Sequence, residues 1–473
     1  MNRFVALFLT CILLMSLLLA GCSKDNENPN RQSVTPTRSI YNNNNADGSA
    51  TVTTKPKDDV ISVFASTEEV PKMVIQYKKL HPDFPYKIKD MSMPTAEFSF
   101  TQVLDEYLAA GGTNTPDIYG VDSSTVMKYT QGDAAQYATP YKDLGIDVDS
   151  LINEADIAQY SIDIGKNLNG NIVGLSYQGM GGAFIYRRSI AKSVWGTDDP
   201  ATIKDKIGPG WNKFFNAAYE LKSRGYGIVS GDGDIWHSVE NSADTPWVVN
   251  GKLNIDPKRE EFLVLAKKLK DMGFSNNTKD WTDAWYDDMK GVGKKKIFGF
   301  FGPAWLIQYV MNVHSGGDKK GKGTYGDWAV CEPPVGFFWG GTYVFANKNS
   351  SNKDALGDII KWITLDSTDK GLQYYWANGK YSGSIGVKDT VASGTVMKNS
   401  VGKLDFIGGQ NLFDVFYQAG KLANGNNITQ YDDTINFYWR EQVSEYVSGK
   451  KTKEKAIADF KKNIKNKVNI MVK

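Results

Sequence analysis

The segment Val60-Ile61-Ser62-Val63-Phe64-Ala65-Ser66-Thr67-Glu68-Glu69 passes from a run of β-formers into a helix-start signal. Branched and aromatic side chains such as those of Val60 to Phe64 suit a pleated, buried surface. Ser66-x-x-Glu69 has the form of a capping box, and Val70, Met73, Val74, Tyr77 and Leu80 follow at the spacing of one helical face. Pro71, which has no N–H to donate, is expected to delay the start of that helix. The alternation continues with a strand at Tyr86-Lys87-Ile88 and a helix marked by Val103, Leu104, Tyr107 and Leu108 that Gly111-Gly112 ends. A third strand at Asp117 to Val121 follows, with Asp122 placed to cap a helix through Met127. Such succession predicts an α/β fold with a mostly parallel sheet.

Further along, Ile172 to Tyr177 reads as a strand opening a second region. Its helices carry apolar stripes at Trp211, Phe214, Phe215, Ala218 and Leu221, and at Phe262, Leu265, Ala266, Leu269 and Met272, the latter capped by Asp256 with Pro257 behind it. Leu356 to Ile363, Ile435 to Val447 and Ala456 to Ile464 mark three more.

Toward the N-terminus, Met1-Asn2-Arg3 is basic, Phe4 to Leu19 is almost wholly apolar, and Leu19-Ala20-Gly21-Cys22 closes the run. The pattern is that of a secretory signal over residues 1–21. Its last four residues resemble the lipobox of bacterial lipoproteins, which implies that Cys22 carries the lipid and anchors the chain to a membrane. Residues 22–57 contain Asn42 to Asn45, Pro29, Pro36, Pro56 and little to bury, and are expected to form a flexible tether.

The 473 residues carry 55 basic and 53 acidic side chains, a formal charge of +2, with 41% hydrophobic residues. A wholly disordered chain and a polytopic membrane protein are excluded, and the charge balance points to no nucleic acid partner. Cys331 alone remains after Cys11 and Cys22 are accounted for, so neither an intramolecular disulfide nor a cysteine-built zinc site is expected. His81, His237 and His314 have no paired spacing, leaving no material for a zinc hydrolase or a Ser-His triad. Gly316-x4-Gly321-Lys322 is followed by Gly323 where a phosphate loop needs Ser or Thr, and reads as a solvated loop. Asp232, Asp234 and Glu240 form the best carboxylate cluster for a glycosidase, and read more readily as polar loop residues that hydrogen-bond a ligand. No metal or other cofactor is expected.

Several segments, in order, resemble the extracellular solute-binding protein family 1, the sugar-capturing lipoproteins of bacterial ABC importers. They are the lipobox and tether, the Phe64 to Glu69 loop, His81-Pro82, Leu108 to Gly111, Pro116 to Tyr119 and Gly174 to Tyr177. Ile297 to Phe301 with Gly302-Pro303-Ala304-Trp305, Trp339 to Thr342, Gly409 to Asn411 and the helix from Tyr431 to Gly449 complete them. The alanine between Pro303 and Trp305 departs from the commonest form of the family's glycine-proline-tryptophan turn.

The resemblance implies a two-lobe periplasmic-binding-protein-like fold with a hinge and a ligand cleft between lobes, binding without chemistry. The lobes are expected at 58–176 with 343–384, and at 177–342 with 385–473. It further implies an extracellular, lipid-anchored monomer that hands a carbohydrate to separate permease subunits of an ABC transporter. A sugar ring presents an apolar face and a rim of hydroxyls, so its site needs aromatic planes and fixed polar groups. Trp305, Trp339 and Trp236 are the candidate planes. Glu68, Glu69, Asp122, Gln178, Asp232, Asp234, Gln410 and Asn411 are the candidate rim. Several tryptophans favour an oligosaccharide; the alternatives are a non-sugar solute such as a polyamine or metal chelate, a surface glycoside hydrolase, or an adhesin.

Overall fold

The computed structural model describes residues 59–92, 97–381 and 388–472. The expected signal, lipidated Cys22 and tether lie outside the described residues. The strands are β1 (Val60–Ala65), β2 (Lys87–Asp90), β3 (Ile118–Asp122), β4 (Gly174–Ser176), β5 (Ala183–Arg187), β6 (Val248–Val249), β7 (Lys252–Leu253), β8 (Gly299–Gly302), β9 (Trp328–Cys331) and β10 (Thr342–Ala346). They form a five-stranded sheet in the order β2-β1-β3-β10-β4, a three-stranded sheet β8-β5-β9 and the hairpin β6-β7. The described chain is α/β throughout.

β1 pairs in parallel with β2 and β3, as strand–helix alternation requires. β10 runs antiparallel to β3 and β4, and the three-stranded sheet is antiparallel throughout. The expected parallel sheet therefore holds for the first region only, because β10 re-enters the first sheet from the second and comes back in the opposite sense.

The Glu69–Leu80 helix buries Val70, Pro71, Met73, Val74 and Tyr77 against β1. It begins at Glu69, which puts Pro71 in its first turn, where no N–H is needed. The capping box does not form: Glu68 occupies the cap position without a side-chain bond, and the Glu69 N–H donates to Thr67 Oγ1 at 3.4 Å. Asp117, fully buried at the entrance to β3, accepts from Ser62 N–H (2.8 Å) and Oγ (2.7 Å) and from Ser350 Oγ (2.7 Å). Those bonds tie β1, β3 and the loop after β10 into one unit.

The C-terminal ends of β1, β3 and β4 and the start of β10 share one edge of the first sheet, since Ala65 pairs with Gly120, Asp122 with Thr342 and Ser176 with Tyr343. In the second sheet, Ala183 pairs with Gly302 and Phe184 with Cys331, so one edge there collects the start of β5 and the ends of β8 and β9. Short segments link these edges. The Trp339 N–H donates to the Met180 carbonyl (3.1 Å) and the Gly182 N–H to the Phe337 carbonyl (2.8 Å), so two crossings run side by side, while Gln178 bridges to Val391 on a third. Close approach here requires glycine, because a Cβ on Gly182 would lie 2.0 Å from the Phe337 ring. Gly182→Ala is expected to destabilise the chain by about 1–3 kcal/mol through overpacking, measured by urea unfolding; an unchanged midpoint would contradict this reading of the crossing.

Candidate functional site

Side chains from both sheet edges meet at this seam, the place where open α/β sheets commonly hold ligands. Trp305 follows β8 through Gly302-Pro303, and Trp339 precedes Gly340 and Gly341, whose left-handed φ of 77° and 101° turn the chain into β10. The Trp305 Nε1–H donates to the Trp339 carbonyl at 3.1 Å, and the two indoles meet edge to face with centroids 4.7 Å apart. Trp281 lies parallel to Trp305 within 7° at 6.1 Å and edge-on to Trp339 at 5.9 Å, while His237 stacks on Trp339 at 4.4 Å. Trp305 and Trp339 are half-buried and Trp281 is exposed, so the group forms an aromatic wall that solvent reaches.

Polar groups border the wall. Asp122, at the end of β3, accepts the Ser124 N–H at 2.9 Å in a local turn, and Thr125 rather than Asp122 occupies the cap position of the short Val126–Thr130 helix. From the Asp432–Val447 helix come Asp433, Asn436 and Arg440. Arg440 donates to both oxygens of Asp280 (2.9 and 2.8 Å), and Asn436 donates to Glu240, which also faces His237 Nδ1 at 3.3 Å. Phe437, 66% exposed, occupies the flank of this helix shared by Asp433 and Arg440.

Burial would raise the Glu240 carboxyl, but His237, Arg259 and Asn436 outweigh it and hold it below its ordinary range. Asp122 is raised, by burial against the bonds from Ser123 and Ser124. The crowding of protein around Asp433 and then the like charges of Asp122 and Glu240 raise its carboxyl too.

A second polar cluster sits at the ends of β1 and β4. The Tyr177 hydroxyl donates to Glu69 Oε2 at 2.5 Å, and Tyr309, Tyr381 and Asp389 lie within electrostatic reach of Glu69. Glu69 is raised, by burial against the opposing pull of Tyr177 and Lys72. Asp389 is pushed up to about 7, by burial first and then by Glu69 despite its bonds from Thr390. Between the ordinary carboxylate pKa and about 7 the folded chain keeps a proton that the unfolded chain has lost. Stability therefore falls as pH rises through that window, by up to about 1.4 kcal/mol per pH unit. Asp389→Asn removes this slope, so the variant is expected to gain about 2–3 kcal/mol on its parent between pH 5 and pH 8, read by urea unfolding at both values. A pH-independent difference would refute the assignment.

The seam thus gathers Trp305, Trp339, Asp122, Asp232, Glu69 and Gln178 from the residues singled out in the sequence. Asp232 lies near Arg440 and Asp280; burial raises its carboxyl, and Arg440 pulls the other way. Gln178 lies on the crossing itself, where its side-chain carbonyl accepts the Thr342 N–H at 3.3 Å. The other candidates have structural partners. Glu68 pairs with Lys72 at 2.6 Å, one turn along its helix. Asp234 is buried and accepts from Ser230 N–H, Gly231 N–H and Trp285 Nε1–H at 2.8, 3.0 and 3.0 Å, which uses both oxygens. Trp236 is core, packed on Phe262 at 4.9 Å, because its helix turns that position inward. Gln410 bridges the Val330 N–H and carbonyl at 2.9 and 2.8 Å, and Asn411 accepts the Gly402 N–H and donates to Asp414, both at 2.8 Å. Sequence reasoning missed Trp281, Asp433, Arg440 and Asp389; a tryptophan alone in the polar stretch Asn276 to Asp283 was the available signal for the first.

No group of three or more His, Cys, Asp or Glu among the described residues is placed to hold a metal ion, and no described helix is long and apolar enough to cross a membrane.

The model of the bacterial extracellular solute-binding protein family matches residues 65–370. No curated protein matches the chain in sequence. Among solved structures, an extracellular solute-binding protein of family 1 superposes with a TM-score of 0.70 at 17% identity, covering 86% of this chain and 99% of that one. The galacto-N-biose/lacto-N-biose I-binding protein of an ABC transporter from Bifidobacterium longum, solved with lacto-N-biose, gives 0.63 at 16% identity over 88% of this chain and 98% of its own. The sugar-binding protein MalE from Xanthomonas citri gives 0.63 at 13% identity over 86% and 96%. The likenesses establish the periplasmic-binding-protein-like fold.

Proposed function

This chain belongs to the bacterial extracellular solute-binding protein family, the non-catalytic ligand-capturing components of ABC transporters, and on that basis we propose that it captures an oligosaccharide at the seam between its sheets. The observation that carries this reading is the wall of Trp281, Trp305 and Trp339 bordered by Asp122, Asp433 and Glu240, which matches the apolar faces and hydroxyl rims of sugar rings. Sugar complexes among the structural neighbours support the same ligand class.

In this proposal the lobes are 58–176 with 343–384 and 177–342 with 385–473, and the crossings beside Gln178, Gly182 and Trp339 are the hinge. Segregation of the first and second sheets into these segments supports the division. Closure over the sugar adds contacts that the open form lacks, so the ligand itself shifts the population toward the shape that permease subunits receive. Lipidation at Cys22 and the 22–57 tether would hold the protein at the outer face of the cell membrane.

Lys55–Lys473 forms one compact unit, and a thermal-shift screen of this unit against mono- and oligosaccharides tests the function. A melting temperature that rises with one glycan series is expected; no rise with any would overturn the carbohydrate reading. The carboxyls of Asp122, Asp433 and Glu240 gathered beside the wall favour one second reading, a cationic solute such as a polyamine. A rise with spermidine alone would select it.

A further inference from the structure

Four described residues other than glycine have a positive φ: Asp156, Asn250, Asn277 and Trp281. Asp and Asn tolerate this region through local hydrogen bonds, whereas a bulky side chain there is a backbone outlier. Trp281, at φ 64°, is the outlier, and it is also 38% exposed while Trp236, Trp247, Trp285, Trp328, Trp376 and Trp439 are buried. Strain of this kind persists only where the surroundings enforce it, and it collects at ligand-holding positions.

The enforcement comes from both sides. Immediately before Trp281, Asp280 is clamped through both oxygens by Arg440, which lies 160 positions further along the chain. Immediately after it, the Thr282 carbonyl accepts the N–H groups of Trp285 and Tyr286 at 3.0 and 3.1 Å and starts the Asp283–Lys290 helix. Between these anchors the indole repeats the orientation of Trp305 to within 7°, 6.1 Å away, and packs on Trp285 at 5.4 Å. A single pyranose ring needs one such plane, and successive rings need successive planes.

We propose that the Asp280–Arg440 pair is a positioning clamp that presents Trp281 as the platform for a second sugar ring, next to the one seated at Trp305 and Trp339. The proposal rests on the carbohydrate reading above. It makes chain length a specificity determinant: Trp281 adds an increment to the binding of disaccharides and longer glycans.

The test is isothermal titration of the unit from Lys55 onward with glucose, maltose, maltotriose, cellobiose, cellotriose, galactose and β-1,6-galactobiose. For the series that binds, affinity should rise at least about tenfold from one ring to two. Trp281→Ala should remove that increment, and Trp281→Phe should restore part of it. Arg440→Lys keeps the charge but withdraws the Nη2 donor that holds both Asp280 oxygens, so it should weaken disaccharide binding about fivefold in the parent and have no effect in the Trp281→Ala background. Equal losses from Arg440→Lys in both backgrounds, or a wild-type affinity indifferent to chain length, would overturn the clamp and leave the carbohydrate reading standing. Failure of the wild type to bind any of these sugars would remove both. Unliganded melting temperatures of the variants separate loss of the platform from loss of the fold.

Discussion

Trp305→Ala should weaken binding of the captured saccharide on the order of 30- to 1,000-fold, about 2–4 kcal/mol. Trp305 makes the closest indole–indole contact in the wall, edge-on to Trp339 at 4.7 Å, and lies parallel to Trp281 at 6.1 Å. Its Nε1–H also fixes the Trp339 carbonyl just before the Gly340-Gly341 turn. Truncation removes a ring face and releases the turn that aims its neighbour, so the loss exceeds that of one platform. Trp305→Phe keeps an aromatic plane without the hydrogen bond and should fall between. Titration calorimetry reads the effect, and an affinity within threefold of the parent would show that the wall is core packing.

Arg259→Met should lower the unfolding free energy by about 3–5 kcal/mol, the usual consequence of removing one partner from a buried charge cluster. The Arg259 guanidinium is fully buried on the face of Trp247 at 4.7 Å, and it donates to the carbonyls of Thr245 (2.7 Å) and Asn427 (3.0 Å). Asp432 and Glu240 act on it as its counter-charges. Burial pushes Asp432 up to about 7 even with Arg259 beside it. Without the cation that carboxyl is driven further toward its neutral form, so the loss should be larger at pH 8, where ionisation is demanded, than at pH 5, where the proton is already held. Urea unfolding of parent and variant at both pH values measures this. A loss below about 1 kcal/mol at pH 8 would mean that the cluster is hydrated.

The elements that the sequence made legible are those whose signals are local. The Asp256-Pro257 start is realised, with Asp256 accepting the Lys258 N–H at 2.9 Å, and the Ile435, Trp439, Val443 stripe is buried. Ser66 to Glu69 failed because the same residues must also turn the chain out of β1, which places the helix start beyond the reach of Ser66. The direction of β10 was illegible because no residue in Thr342 to Ala346 encodes it; the crossing does.

The site divides in the same way. Trp305 and Trp339 stand beside glycine-marked strand ends, so composition alone put them at an edge. Trp236 misled because which side of a helix faces inward depends on what packs there, in this case Phe262. Trp281 was hidden because its conformation is imposed by Arg440, far away in sequence.

The central claim, reversible capture of a saccharide at the tryptophan wall, is tested most directly by titrating the unit from Lys55 onward with the glycan found by thermal shift, then recovering the glycan for mass spectrometry. The account predicts saturable one-to-one binding that Trp305→Ala abolishes or cripples, with the glycan recovered unchanged. Binding that survives Trp305→Ala at full strength, or a glycan returned shortened, would contradict it.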